Sequence, residues 1–298
     1  MSPPVFLGDA AWLAAKRSGA PLVFNLQDIF PDIAVELGAL SGERVLALAR
    51  RHERSLYRRA DAITVLSEDQ AKNVRKKLPA QNPPKLEVIR NFVDLDRIRP
   101  VERENEYRRR HGLMDKTVVM YSGNVGLSQS FDLVQSAALK WARDRSVAFV
   151  INGEGAGRPA VDAWAESMPN VTVVNFGPRA QIQSILGAAD LHLVVLKAGL
   201  AQSSTPSKLY SIMAAGRPVL ASIDEGSEVS EVITKHNIGL AVPPDDEWSF
   251  CRGLEQLLES PDELLAMGER GRAVAETWLT PEAQAEAYEQ LFIQLLGR

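Results

Sequence analysis

One cysteine in 298 residues, Cys251, is too few for a disulfide framework or a cysteine-rich zinc site. It fits a reducing compartment. The four histidines (His52, His111, His192, His236) are scattered and form no HExxH pair, so no metal and no other cofactor is expected. No apolar run reaches the roughly 18 residues of a membrane span. The first residues carry no basic segment followed by a long apolar one, so no secretory signal is visible and a cytoplasmic location is expected. Positive charge is not in surplus: the formal net charge of −4 argues against a general nucleic-acid binder. No GxxxxGK[ST] occurs, and the most prominent glycine turn lacks GxGxxG spacing. What is present is 45% hydrophobic and 24% charged residues, the balance of a globular protein with a sizeable core, in a chain long enough for two modest domains.

Short apolar runs alternate with helical patterns. Residues 21–26, 61–67 and 85–91 read as strands, with a basic helical pattern over 43–60 between the first two. After a charged run at 101–113 a second series of strands begins: 117–123, 147–155, 171–177, 191–196, 218–223 and 239–244. Continuous apolar strands separated by helices imply α/β architecture, with parallel sheets covered on both faces. Two Rossmann-like doubly wound domains are expected: 1–105, then 106–277, with a helical stretch over 278–298. The first shows only three or four strands and opens abruptly on a strand end, a turn and a helix. It is therefore expected to be an incomplete domain. Ligands of such sheets lie at the carboxyl ends of the strands, where Gly123, Gly153, Gly177 and the 198–208 loop should converge.

Six stretches are candidates for carrying chemistry. Gln202-Ser203-Ser204-Thr205-Pro206-Ser207-Lys208 leads into a short apolar helical pattern. Hydroxyls and one lysine at a helix start suit an anion such as a phosphate; they equally suit an ordinary N-cap. YSGNVGLSQSFDLV (121–134) reads as strand, glycine turn and helix, either a close backbone approach to a ligand or a tight connection. NGEGAGRP (152–159) reads mainly as turn chemistry, and Arg179 in FGPRAQI stands at a strand end or on an exposed helix start. In the first domain, FNLQDIFPDIAVELG (24–38) places Gln27, Asp28 and Asp32 among apolar residues. Asp28 is either a general base or holder of an acceptor hydroxyl, or a helix cap. The 43–60 helix sets Arg44, Arg50, Arg51, Arg54, Arg58 and Arg59 against Glu43 and Glu53, a local charge of +4. That face rests on anionic lipid or is simply solvated.

FNLQDIFPD, RRADAITVLSE, VIRNFVDLDRIRP, MYSGNVGLSQSFDLV, AADLHLVVL and TPSKLYSIMAAGRPVLA occur in one order along nearly the whole chain. As a set they resemble the family 4 glycosyltransferases of the two-domain GT-B fold, in the group that builds capsule, colanic-acid or O-antigen polysaccharide. The resemblance implies a UDP-linked sugar donor held mainly by the second domain, and transfer with retention and without metal or cofactor. It implies that Gly123, Asn124, Gly126, Gln129, Thr205, Pro206, Ser207 and Lys208 hold the diphosphate. Arg179 and Ser211 would lie at the nucleoside, and the last helix, 278–298, would cross back to the first domain. The acceptor, an oligosaccharide or polyprenyl-diphosphate-linked sugar, would meet the first domain near Asp28. Arg50, Arg51, Arg54 and Arg58 would form a membrane or acceptor face, making the protein peripheral at the inner face of the cell membrane.

Two departures stand out. Many relatives carry a pair of glutamates where this chain has Ser203 and Ser211, and a basic pair near Asn124 and Gln129. Serine binds ribose without the charge-assisted strength of a carboxylate. Relatives also begin with further strands and a glycine-rich acceptor-side loop, so this chain is expected to bind donor nucleotide and to transfer weakly or not at all. The alternatives are a non-catalytic nucleotide-sugar-binding fragment and a GT-B sugar-nucleotide epimerase. The latter is disfavoured because no pair of acidic residues or histidine acid/base set is evident.

Overall fold

A computed structural model of the chain describes residues 6 to 297. The strand end and turn expected over residues 1–5 lie outside the described residues; the helix that follows is Leu7–Ser18. The chain forms two compact units: Met1–Asn91 with Gly199–Thr205 and Pro281–Arg298, and Phe92–Ala198 with Pro206–Thr280.

The first unit holds a parallel sheet in the order β1 (Val23–Asn25), β2 (Ala62–Val65), β3 (Lys85–Val88). Alternate residues point to opposite faces of a strand. Phe24, Ile63 and Val65 therefore pack with Leu56, Tyr57 and Val74 on one side. On the other side Ala62 meets Ile89 and Leu291, with Val23 and Tyr288 against them. Leu291 and Tyr288 come from the last helix, Pro281–Leu295, which is thereby part of this unit.

The helix Glu43–Arg59 turns Leu56 and Tyr57 inward and leaves all six arginines exposed. Glu53, counted above against those arginines, is instead buried; it accepts hydrogen bonds from Tyr57 Oη (2.8 Å) and Lys77 Nζ (2.7 Å). Lys77 also reaches Asp32, at 2.6 Å. Burial raises the carboxyl pKa of Glu53, and Lys77 opposes the rise.

The second unit holds six parallel strands: β4 (Thr117–Ser122), β5 (Val147–Asn152), β6 (Val171–Val174), β7 (Leu191–Val195), β8 (Val219–Ser222) and β9 (Gly239–Val242). Their spatial order is β6-β5-β4-β7-β8-β9. This is the doubly wound order, in which the winding reverses between β4 and β7. Val119, Tyr121, Phe149 and Ile151 face a core completed by the helices Phe131–Lys140, Glu247–Leu258 and Pro261–Trp278. Val118, Met120, Ala148 and Val150 face Tyr107, Leu113 and Ile185. Local caps set several helix starts: Ser67, Asn105, Ser227 and Asp246 each accept a backbone N–H of the first turn.

The unit boundary differs from the position near 105 expected from the charged run. It falls at Asn91–Phe92 because the following residues pack within the second unit. Val93 N donates to Leu279 O at 2.9 Å, and Arg272 donates to the carbonyl of Ile98 at 2.8 Å. The charged run itself packs within the second unit. Arg108 in the helix Glu106–Arg110 is 1% exposed, pairs with Asp190 at 2.5 Å and donates to the carbonyls of Ala188 and Lys116. The last stretch rejoins the first unit from Pro281 rather than from 278; Trp278 ends the preceding helix, its ring 6.0 Å from that of Tyr210.

Candidate functional site

Strand β4 ends at Ser122 and the chain turns at Gly123, whose φ of 143° is strained for any side chain. The turn is held by the next strand: Gly123 N donates to Asn152 O (3.0 Å) and Val125 N to Glu154 O (2.8 Å). This contact explains the second glycine stretch. A Cβ on Gly153 would stand 1.9 Å from Gly123 O, so the 152–159 loop supports the first turn by backbone-to-backbone packing. Gly126 N donates to Gln129 Oε1 at 2.8 Å, and Gln129 Nε2 donates to Ser128 Oγ at 2.7 Å. Gln129 thus braces the turn with both ends of its amide. Asn124 is exposed, and its side-chain amide bonds no described residue.

Lys208 opens the helix Lys208–Ala214 and reaches back to this turn. Its Nζ would lie 3.1 Å from a Cβ on Gly123 and stands 3.4 Å from the centroid of the Tyr121 ring. The residue as a whole is partly exposed, yet Nζ is buried and has no hydrogen-bond partner among the described residues. Burial alone pulls its pKa from 10.5 down to about 7. The N-cap alternative is not realised, because Ser207 precedes the helix without a side-chain capping bond; it is exposed. Gly123, Asn124, Gly126, Gln129 and Lys208 are therefore brought together at the carboxyl end of β4, beside the point where the winding reverses.

The remaining sequence candidates are placed elsewhere. Gly177 packs on Ile185 and Gln181 of its own following turn. Arg179, in a 3₁₀ turn over Arg179–Gln181, is exposed and makes no ion pair with a described residue. Ser211 lies one turn after Lys208, half-buried, with no side-chain bond to a described residue. Pro206 is half-buried and belongs to the second unit. Thr205 belongs to the first, with its hydroxyl 3.1 Å from Ser67 Oγ. Its neighbours anchor there as well: Ser203 O accepts from Ile29 N at 2.9 Å, Ser203 Oγ donates to Glu36, and Ser204 bridges Asp28 in antiparallel fashion. Asp28 is half-buried with a carboxylate that bonds no described residue, whereas Asp32 is committed to Lys77 and Asn73. Gln27 bridges Asn25 (2.7 Å) and Asn91 (3.0 Å). Arg50, Arg51, Arg54 and Arg58 are all exposed.

Two residues escaped the sequence reading. Tyr121 was legible only as a buried strand position. Asp245 was legible only as a loop residue, yet it accepts hydrogen bonds from Ser130 Oγ and Ala198 N (2.9 Å), joining the start of one helix to the start of the 198–208 loop. The PPDD sequence at 243–246 signals a turn and gives no hint of this link.

A doubly wound sheet with a glycine turn and a buried ammonium at its reversal point is the architecture of nucleotide-binding α/β proteins. Among solved structures the fold is shared with sucrose-phosphate synthase from Thermosynechococcus elongatus (TM-score 0.77, 19% identity, covering 97% of this chain and 71% of that one). It is also shared with Anabaena HepE in complex with UDP and glucose (TM-score 0.77, 16% identity, 96% and 75%). These likenesses establish a GT-B-type fold.

The chain belongs to the family described as glycosyl transferases group 1, which it matches over residues 103–274, and residues 3–97 match glycosyltransferase family 4. Relatives include the "Probable glycosyltransferase WbjE" of Pseudomonas aeruginosa, 30% identical over 245 residues (81% of this chain, 60% of the relative). Another, WcaI of Escherichia coli K12, bears the name of a colanic acid biosynthesis glycosyl transferase and is 28% identical over 269 residues (87% and 65%). The chain thus spans 60% and 65% of the lengths of these two relatives.

Proposed function

We propose that this chain carries the donor site of a glycosyltransferase that uses a nucleotide sugar, with UDP as the nucleotide. One observation carries the reading: a buried Lys208 ammonium without a hydrogen-bond partner, set against the Gly123 turn at the carboxyl end of β4. A buried charge is costly unless paired, and a diphosphate supplies the missing partner. UDP is favoured because the fold neighbour HepE is a complex with UDP and glucose. Polysaccharide assembly is favoured by the name of WcaI.

In this reading Lys208, the Asn124 amide and the Ser207 hydroxyl hold the diphosphate, while Gln129 and Gly126 keep the turn in shape. The bond from the sugar's anomeric carbon to the diphosphate oxygen breaks, and the leaving group keeps the electron pair. Lys208 stabilises that developing charge. A new bond forms from the anomeric carbon to an acceptor hydroxyl on the same face, and the hydroxyl's proton passes to the departing diphosphate oxygen. Asp28, with its unbonded carboxylate, is the residue assigned to the acceptor hydroxyl, and Arg179 and Ser211 to the nucleoside. Transfer is read as retaining and metal-independent, with a lipid-linked or oligosaccharide acceptor. The exposed arginines Arg50, Arg51, Arg54 and Arg58, beside exposed Val45 and Leu48, suit an anionic bilayer.

Isothermal titration calorimetry with UDP tests the donor site. The chain should bind UDP, and Lys208→Ala should weaken binding at least tenfold at pH 6.5. No binding at millimolar UDP overturns the reading, and an unchanged Lys208→Ala removes Lys208 from it. Transfer from a panel of UDP-sugars, measured on the same preparation, separates an enzyme from a binding module.

A further inference from the structure

A lone ammonium beside a glycine turn needs something to hold it in place before any anion arrives. One side chain touches both parts. Tyr121, 0% exposed, is the penultimate residue of β4, and the strand's alternation turns it into the core that also contains Val119. Phe131 meets its ring edge-on, with centroids 4.8 Å apart and planes at 69°, which fixes the ring's tilt. The ring then presents its face to Lys208 Nζ, 3.4 Å from the centroid. Its hydroxyl donates to Asn124 O at 2.5 Å, inside the glycine turn.

Resting on the donor reading, we propose that Tyr121 is a positioning residue for the diphosphate. Its ring face seats the Lys208 ammonium, and its hydroxyl pins the Gly123–Gly126 turn that the ammonium faces. The negative face of an aromatic ring attracts a cation most strongly where water is excluded. Here it substitutes for the carboxylate that usually accompanies a buried lysine, without competing for the ammonium's donors as a carboxylate would. A carboxylate in that place would also repel the incoming anion.

Among the described residues, Tyr121 touches Lys208 and His192 interacts with it electrostatically, and neither is charged near neutral pH. Burial holds the Tyr121 hydroxyl protonated well beyond its usual range. Burial also pulls the pKa of His192 on β7 down to about 4, with Lys208 itself contributing. The ammonium's own pKa of about 7 therefore makes donor affinity pH-dependent. Below that value the site is charged before binding; above it, binding must take up a proton, and affinity falls by up to about tenfold per pH unit. Weakening the ring's negative face should move that bend to lower pH.

The test is calorimetry with UDP between pH 6.0 and 8.5 on the full chain, compared with Tyr121→Phe, Tyr121→Leu and a chain carrying 3,4,5-trifluorophenylalanine at position 121. The titration of UDP's own terminal phosphate is common to every arm. Tyr121→Phe keeps the ring, so its bend should stay in place while affinity drops evenly, a few-fold, through loss of the hydroxyl anchor. The leucine and fluorinated chains should bend at least half a pH unit lower and bind UDP threefold or more weakly than Tyr121→Phe at pH 7.5. The fluorinated ring has the shape of phenylalanine, so the comparison holds even if the leucine variant does not fold. If the fluorinated chain follows the same pH curve as Tyr121→Phe, the role of Tyr121 is wrong while the donor reading stands. If the unmodified chain binds no UDP at any pH, the donor reading falls and this role falls with it.

Discussion

Lys208, proposed above to hold the diphosphate, weakens the protein that carries it. Its ammonium is buried without a hydrogen-bond partner, and its pKa lies at about 7 against 10.5 for a free lysine. Between those values the unfolded chain holds the proton more tightly, so stability rises with pH across that window and is lowest below pH 7. Lys208→Met should therefore raise the melting temperature at pH 6 and show little gain near pH 10, a contrast readable by scanning calorimetry. His192 gives a second pH signature. It is fully buried, its Nε2 lies 2.9 Å from the Leu186 carbonyl oxygen, and desolvation lowers its pKa from 6.5 to about 4. Here too the unfolded chain binds protons more readily, and the stability present above pH 6.5 is lost as pH falls toward 4. The loss is about 3 kcal/mol at most. His192→Gln, which cannot titrate, should flatten the stability profile between pH 6.5 and 4.

At the scale of elements, the glycine turn after β4 is shaped by the strand beside it. Gly153→Ala would drive a methyl group into Gly123 O, a backbone atom that cannot swing aside. The expected outcome is a loss of at least about 2 kcal/mol of stability, together with weaker UDP binding. Denaturant melts and calorimetry on the same sample would measure both. The helix Glu106–Arg110 makes a different point. Its run of arginines reads only as a charged stretch near a domain boundary, yet Arg108 and Asp190 form a buried pair, and Arg108 also satisfies carbonyls from two loops. Arg108→Ala leaves Asp190, among the described residues, with only Arg103 and the Val118 N–H, and strips the Ala188 and Lys116 carbonyls of a donor, so it should cost about 3 kcal/mol. Arg109, exposed and paired with Glu106, should tolerate alanine with a change below about 0.5 kcal/mol.

At the scale of the whole molecule, charge is unevenly placed. A chain of net charge −4 carries an exposed arginine face on Glu43–Arg59, and the burial of Glu53 removes from that face one of the two glutamates counted there. Attraction to an anionic surface is worth about 1 kcal/mol per arginine and falls with salt. Vesicles of phosphatidylglycerol should therefore co-sediment the protein at low salt and release it at 0.5 M. Substituting Arg50, Arg51, Arg54 and Arg58 by glutamate should abolish capture without altering UDP affinity. Pelleting assays read the first outcome and calorimetry the second. The helices of the described residues include none long and apolar enough to cross a membrane.

The sequence alone determined the alternation of strands and helices: each of the nine described strands lies within a stretch that reads as a strand without coordinates, and the central ones are apolar throughout. The reason is local. A strand buried on both faces must be continuously apolar, and a glycine where the chain turns sharply is a backbone requirement. The sequence also marked Gly123 and Lys208, because a glycine after a strand and a lysine at a helix start are unusual in their immediate context. Only the tertiary structure decided what those residues meet. Thr205 and Lys208 stand three positions apart in one polar run, yet Thr205 is tied to Ser67 in the first unit and Lys208 to the Tyr121 ring in the second. Tyr121, Asp245, Glu53 and Arg108 take their roles from partners distant in the chain. Pairing of that kind depends on packing between elements, which no periodicity in a single stretch records.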